Sequence, residues 1–241
     1  MALGAPTATI TARPTAGTIT TSPMTTPTDS QVLKLVQWLS PAYPVGAFAY
    51  SHGLESAASA GNVGDAAALE DWLADVLCHG AGRSDVIFLA AAFRAADRAG
   101  LMRIDAQARA FAPSAERLME TEAQGHAFAK TTGAVWPGDE LPPLSHPVAL
   151  GQAANLHGLP LLLTARMYLQ AFASNLVSAG IRLIPIGQTD GQKTLSALTP
   201  LIETLAEKAI DETPEDLSST AFLADIASMK HETQYSRLFR S

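Results

Sequence analysis

Among its 241 residues the chain has a single cysteine, Cys78. One thiol can neither close an intrachain disulfide nor build a thiolate metal cluster, and its isolation fits a reducing compartment such as the cytoplasm. Positive charge is also in short supply. Sixteen Lys and Arg against twenty-three Asp and Glu leave a formal net charge of −7, the wrong sign for a dedicated nucleic-acid binder. No block of like charge reverses that balance. Strand patterning is missing too: no apolar–polar alternation runs beyond about four residues, which argues against a sheet. The most membrane-like stretch, Leu159 to Ile186, is interrupted by Arg166, Gln170, Asn175 and Arg182. Each of these is expensive in hydrocarbon, so the stretch reads as a buried helix in a soluble protein, with no membrane span expected.

What is present is mostly helical punctuation. DAAALEDWLADVLCHG, residues 65–80, places Leu69, Trp72, Leu73, Val76 and Leu77 on one helix face, with Asp65 as N-cap and Gly80 as stop. The spacing predicts further helices from Ser84 to Gly100, Leu101 to Ala112, Ala115 to Lys130, Val148 to Leu156 and Leu159 to Ala179, all rich in Ala and Leu. QVLKLVQWLS from Gln31 is another amphipathic segment that Pro41 must end. The expected fold is one compact all-α domain over residues 30–225. Residues 1–29 hold ten threonines and four prolines, with Arg13 and Asp29 the sole charges. They lack the apolar core of a secretory signal and bury too little to offset their ordering entropy, so they read as a disordered tail.

One segment has the letters of a nucleotide loop. IRLIPIGQTDGQKT, residues 181–194, ends on Lys193-Thr194. A phosphate-binding loop needs glycine immediately before the lysine, so that backbone amides can close round the phosphates. Here Gln192 occupies that place, and Gly191 falls one position early. Pro185 interrupts the would-be strand upstream, and about fifty residues downstream are too few for repeated βα units. The segment reads instead as a polar loop between helices. An NTPase using Gly187–Thr194 stays open as the competing class.

Other chemistry is sparse. His52, His79, His126, His146, His157 and His231 include no pair at three- or four-residue spacing, so no helix face offers a ready metal pair. This weakens a third class, a nickel-binding metallochaperone. Cys78 and His79 point to different helix faces, Glu70 and Asp71 diverge, and no G-x-S-x-G elbow occurs. Neither a catalytic constellation nor a metal site is expected. Two stretches remain unexplained: the Pro/Gly/aromatic run SPAYPVGAFAYSHGLE, residues 40–55, and the terminal MKHETQYSRLFRS, residues 229–241. Chain ends are usually frayed, yet Arg, Tyr and Phe are the side chains that anchor interfaces.

These two stretches, with RLIPIGQTDGQKTLSAL between them and DIASMKHETQYSRLFRS at the end, closely resemble the urease accessory protein UreF family. The resemblance covers roughly residues 31–241. It departs at Ala47, where the family commonly has a second glycine, so a local turn needing positive φ there would differ. The resemblance implies an all-α, non-catalytic homodimer that binds no cofactor tightly. It implies a bridge between UreD (also called UreH) and the GTPase UreG, serving apo-urease. Nickel is the cargo of that assembly, and GTP is bound by the partner. Carried onto this chain, the UreD side falls on a docking tail, residues 226–241, with Met229, His231, Glu232, Tyr235, Arg237, Leu238, Phe239 and Arg240. The UreG side falls on Pro44, Gly46, Tyr50, Arg182, Gln188, Asp190, Gly191 and Gln192. A specific geometry follows as an expectation: Arg237 donating to carbonyls of the Gly46–Tyr50 loop and coupling the tail to it.

Overall fold

A computed structural model describes Met1, residues 26–137 and residues 141–241. Every regular element among these residues is helical. Helix α1 spans Asp29–Trp38 and is opened by a reciprocal capping box between Thr28 and Gln31. The Thr/Pro-rich tail expected over residues 1–29 lies, for residues 2–25, outside the described residues; at its far end Asp29 is already the first residue of α1. A short 3-10 turn, Ala47–Ala49, precedes α2, Leu54–Ser59. Then follow α3 (Ala66–His79), α4 (Ala81–Phe93), α5 (Arg98–Ala110) and α6 (Ala115–Val135). The chain continues through α7 (His146–Leu156), α8 (Leu161–Leu183), α9 (Gln188–Ala209) and α10 (Phe222–His231).

Helix α4 is the centre of the fold, packed against α3, α5, α7, α8 and α9. Its most extensive partner is α7, and fully buried Ala90 and Ala92 on α4 meet a helix that buries Ala149 and Ala153. Small side chains at the contact let the two axes approach closely. Large residues fill the space around them: Trp38, Leu73, Leu77, Ile87, Phe88, Phe128 and Leu150 are all essentially inaccessible. The stretch from Leu159 to Ile186 is α8 and its flanks, interior as expected, with Tyr168, Leu169, Phe172, Leu176 and Val177 buried. Among the described residues one segment, 66–93, is long and apolar enough to cross a membrane, and 61% of its apolar 18-residue window is buried inside the fold.

Several boundaries differ from the sequence reading. Asp65 caps α3 as expected, through the amide of Ala68, and Ser114 caps α6 through the amide of Arg117. Ser84, however, opens nothing: α4 begins at Ala81, and the Ser84 hydroxyl donates back to the carbonyl of Gly80. Nor does the helix run to Gly100. It stops at Phe93, and Asp97 caps a new helix through the Gly100 amide. The largest difference concerns residues 188–194. They are the opening turns of the 22-residue α9.

Candidate functional site

The run SPAYPVGAFAYSHGLE folds as a tight double turn. Gly46 adopts φ +75°, a left-handed conformation that costs glycine nothing, and starts the 3-10 turn that carries Phe48 outward, 67% exposed. Ala47 lies within that turn without a positive φ, so the alanine imposes no strain. Further on, His52 (φ 54°) and Gly53 (φ 78°) are both left-handed. Such a conformation is uncommon for a histidine and persists only where its surroundings fix it. At Gly53 the reason is a close approach: a Cβ there would lie 2.5 Å from the Ser228 amide nitrogen on α10.

The terminal segment returns to this turn. The Arg240 amide donates to the Ala49 carbonyl at 2.8 Å, and the Ser51 amide donates to the Ser241 carbonyl at 2.7 Å. Buried carboxylates on α2 and α6 hold the segment from beneath. Glu55 accepts the amides of Leu238 (2.7 Å) and Phe239 (2.8 Å). Wholly buried His231 sits between Glu116, 2.7 Å from Nδ1, and Glu55, 3.2 Å from Nε2. The Ser241 hydroxyl donates to Glu120 at 2.7 Å, and the Glu232 carboxylate accepts the Ala115 amide at the start of α6. Arg237 pairs with Glu116 at 2.5 Å. Its expected bonds to the Gly46–Tyr50 carbonyls are therefore corrected: the guanidinium turns toward the α6 carboxylate, where its charge is better compensated.

The arginine that does reach the turn is Arg182, at the end of α8. Its Nη1 donates to the Phe48 carbonyl at 3.1 Å, and its guanidinium lies 4.3 Å from the ring centroid of Phe239. One side chain thus touches both the turn and the tail. Of the remaining candidates, Pro44 is exposed, Gly46 is half-buried and Tyr50 is buried. Gln188 and Gln192 are exposed at the start of α9; Gly191 is buried between them, and half-buried Asp190 pairs with Lys193 at 2.9 Å. A lysine engaged there, on the second turn of a helix, is not part of a loop that could wrap phosphates. On the tail side, Met229, Glu232, Tyr235, Arg237, Leu238 and Arg240 are exposed, whereas His231 and Phe239 are interior. The limit set at residue 225/226 falls inside α10, which presents Phe222, Leu223, Ile226 and Met229 to the surface.

Beneath the turn lies a group of charges that the sequence reading did not single out. Arg117 forms an ion pair with Glu120, and both approach His52 Nε2 at 2.8 Å. Burial opposes ionisation of Glu120, but Arg117 and His52 outweigh it and bring the carboxyl down to about 2. Burial, reinforced by Arg117, lowers His52, and burial lowers His146 to about 4. Asp85 goes the other way: burial raises it to about 6, although Arg117 and a 2.7 Å hydrogen bond from Tyr168 hold it back. Among the described residues no group of three or more His, Cys, Asp or Glu is arranged to hold a metal ion.

Known proteins place the chain. A family model for UreF matches residues 63–199. The urease accessory protein UreF of Ruegeria pomeroyi is 56% identical over 218 residues, 90% of this chain and all of that protein. That of Roseobacter denitrificans is 54% identical over 224 residues, 93% of this chain and all of its own. The chain belongs to the UreF family. A more distant UreF, from Rhodopseudomonas palustris, remains 47% identical over 235 residues, 93% of this chain and 97% of that protein. The three segments that carry the resemblance to UreF are far apart in sequence, and Arg182 with Glu55 joins them in one place.

Proposed function

We propose that this UreF-family chain is a non-catalytic scaffold of urease maturation, bridging UreD (UreH) and the GTPase UreG so that nickel is delivered to apo-urease. Nickel is cargo and GTP belongs to UreG. The protein acts in the cytoplasm as a homodimer within the assembly. The tail side, with exposed Met229, Tyr235, Leu238 and Arg240, faces UreD. The turn at Pro44–Gly46 and the α9 start at Gln188 and Gln192 face UreG.

The observation that supports this reading best is the position of Arg182, in contact with the Phe48 carbonyl and the Phe239 ring together. Two docking faces joined by one side chain can report occupancy to each other, which a bridging protein requires. An accessory protein alters a GTPase cycle only by binding its states unequally. The exposed amides of Gln188 and Gln192 are suited to favour one nucleotide state of UreG by orienting its groups.

The test is co-purification of the full chain with UreD and UreG. Tyr235→Ala with Leu238→Ala, both surface changes, should lose UreD while leaving the fold intact. Gln192→Ala should retain UreD and change GTP turnover by UreG. Retention of UreD by the first variant, or unaltered turnover and nickel delivery with the second, removes the respective assignment. Titration of the isolated chain with GTP separates this reading from an NTPase, which would bind nucleotide unaided.

A further inference from the structure

A cavity of about 360 Å³ lies under the turn, between α1, α4, α6 and α8, and opens beside the exposed side chains of Phe48, Gln188 and Gln192. This volume is at the lower end of the range for small-molecule sites. Its wall is a chain of rings in mutual contact. His52 meets Phe172 at 4.7 Å between centroids, Phe172 meets Tyr168 at 6.4 Å, and Tyr168 meets His146 at 5.8 Å. Phe128, behind the wall, continues the series from His146 to Trp38, at 5.9 and 5.4 Å.

The ionic inventory of the wall does not balance. Arg117 is committed to Glu120. Asp85 lines the same space with Tyr168 as its hydrogen-bond donor, and no cation lies within ion-pair distance of it among the described residues. Two carboxylates, Asp85 and Glu120, line the space against one guanidinium, and that guanidinium is the one paired with Glu120. Two polar atoms of residues that line the cavity, Trp38 Nε1 and His52 Nδ1, are buried without a hydrogen-bond partner among the described residues. An indole N–H can only donate, so Trp38 calls for an acceptor.

We propose that this cavity binds a small organic cation, an ammonium or guanidinium compound that also carries an oxygen acceptor. Ring faces attract a cationic head, and Asp85 supplies its counter-charge. The oxygen satisfies Trp38 Nε1–H, and His52 Nδ1 meets the guest with either tautomer. An anion would face two carboxylates with the sole arginine already engaged. A bare metal ion would lack a set of three ligands among the described residues.

The experiment is titration of the full-length protein with choline and ethanolamine, followed by calorimetry and by the indole N–H resonances of its three tryptophans. Propylammonium, which lacks the oxygen, and sodium acetate, which lacks the cation, are the comparisons, and nickel(II) is a separate arm. The expected result is saturable binding of ethanolamine or choline that shifts the Trp38 indole signal while Trp72 and Trp136 stay put. Propylammonium should bind more weakly, and acetate should not bind. Asp85→Asn, which keeps an acceptor for Tyr168, should weaken binding about tenfold or more, and Phe172→Leu should weaken it with Asp85 intact. Absence of saturable binding up to roughly 10 mM would overturn the proposal. Binding indifferent to Asp85→Asn would do so as well, as would Asp85-dependent capture of nickel alone.

Discussion

Glu55 accepts the backbone amide of Phe239 at 2.8 Å, linking the first turn of α2 to a residue 184 positions later. The same carboxylate takes the Leu238 amide and stands against His231. Replacing it with alanine strands two amides and one imidazole in the interior. Glu55→Ala should cost about 2–4 kcal/mol in urea denaturation. The segment 232–241 should also become cleavable under native conditions, whereas the parent resists.

Arg182 acts on the same segment from outside. Removing its stacking on Phe239 and its bond to the Phe48 carbonyl should cost about 1–2 kcal/mol. Arg182→Lys should not restore this, because an ammonium lacks the planar fork that stacks and donates together. A double-mutant cycle with Phe239→Leu should show a coupling energy well above zero. Additive costs would mean that the stacking contributes nothing.

Gly53 offers a backbone test. Alanine there meets a left-handed φ of +78° and the Ser228 amide at 2.5 Å, with no flexible side chain to yield. Gly53→Ala should destabilise the chain by about 2–4 kcal/mol. Faster hydrogen exchange across α10 would show that the loss is concentrated at the α2–α10 contact.

The cavity charges predict opposite pH dependences. Asp85 is raised from 3.8 to about 6, so between these values the folded chain keeps a proton that the unfolded chain has lost, and stability falls as pH rises. Asp85→Asn should therefore gain stability relative to the parent between about pH 4 and about pH 7. His146 is lowered from 6.5 to about 4, so the unfolded chain takes up the proton first as pH falls. His146→Gln should reduce the loss of stability over that window. Parallel denaturation series at several pH values check both signs.

Much of the helical plan could be read directly from side-chain spacing, because caps such as Asp65 and Ser114 act within one turn of themselves. The start of α9 could not. Gly187 and Gly191 look like loop punctuation, yet Gly191 is small for a packing reason: a Cβ there would lie 2.5 Å from Ile181 Cδ1 on α8. Its role becomes visible only once two helices are laid together. The carboxylates that hold the tail were hidden for a related reason. Glu116 and Glu120 lie one turn apart on α6 and look like an ordinary solvated face, but the partners through which they hold the tail are His231, Arg237 and Ser241, more than a hundred positions away. The motif SHGLE contained Glu55, and MKHETQYSRLF contained His231; that the two meet is a property of the fold.

Helix α10 has a practical corollary for anyone handling the protein. Phe222, Ile226 and Met229 follow a helical spacing, and with Leu223 they leave α10 an exposed oily surface. A preparation of this chain alone has only itself to cover that surface. It should therefore form concentration-dependent clumps, and mild detergent or a co-expressed binding partner should disperse them.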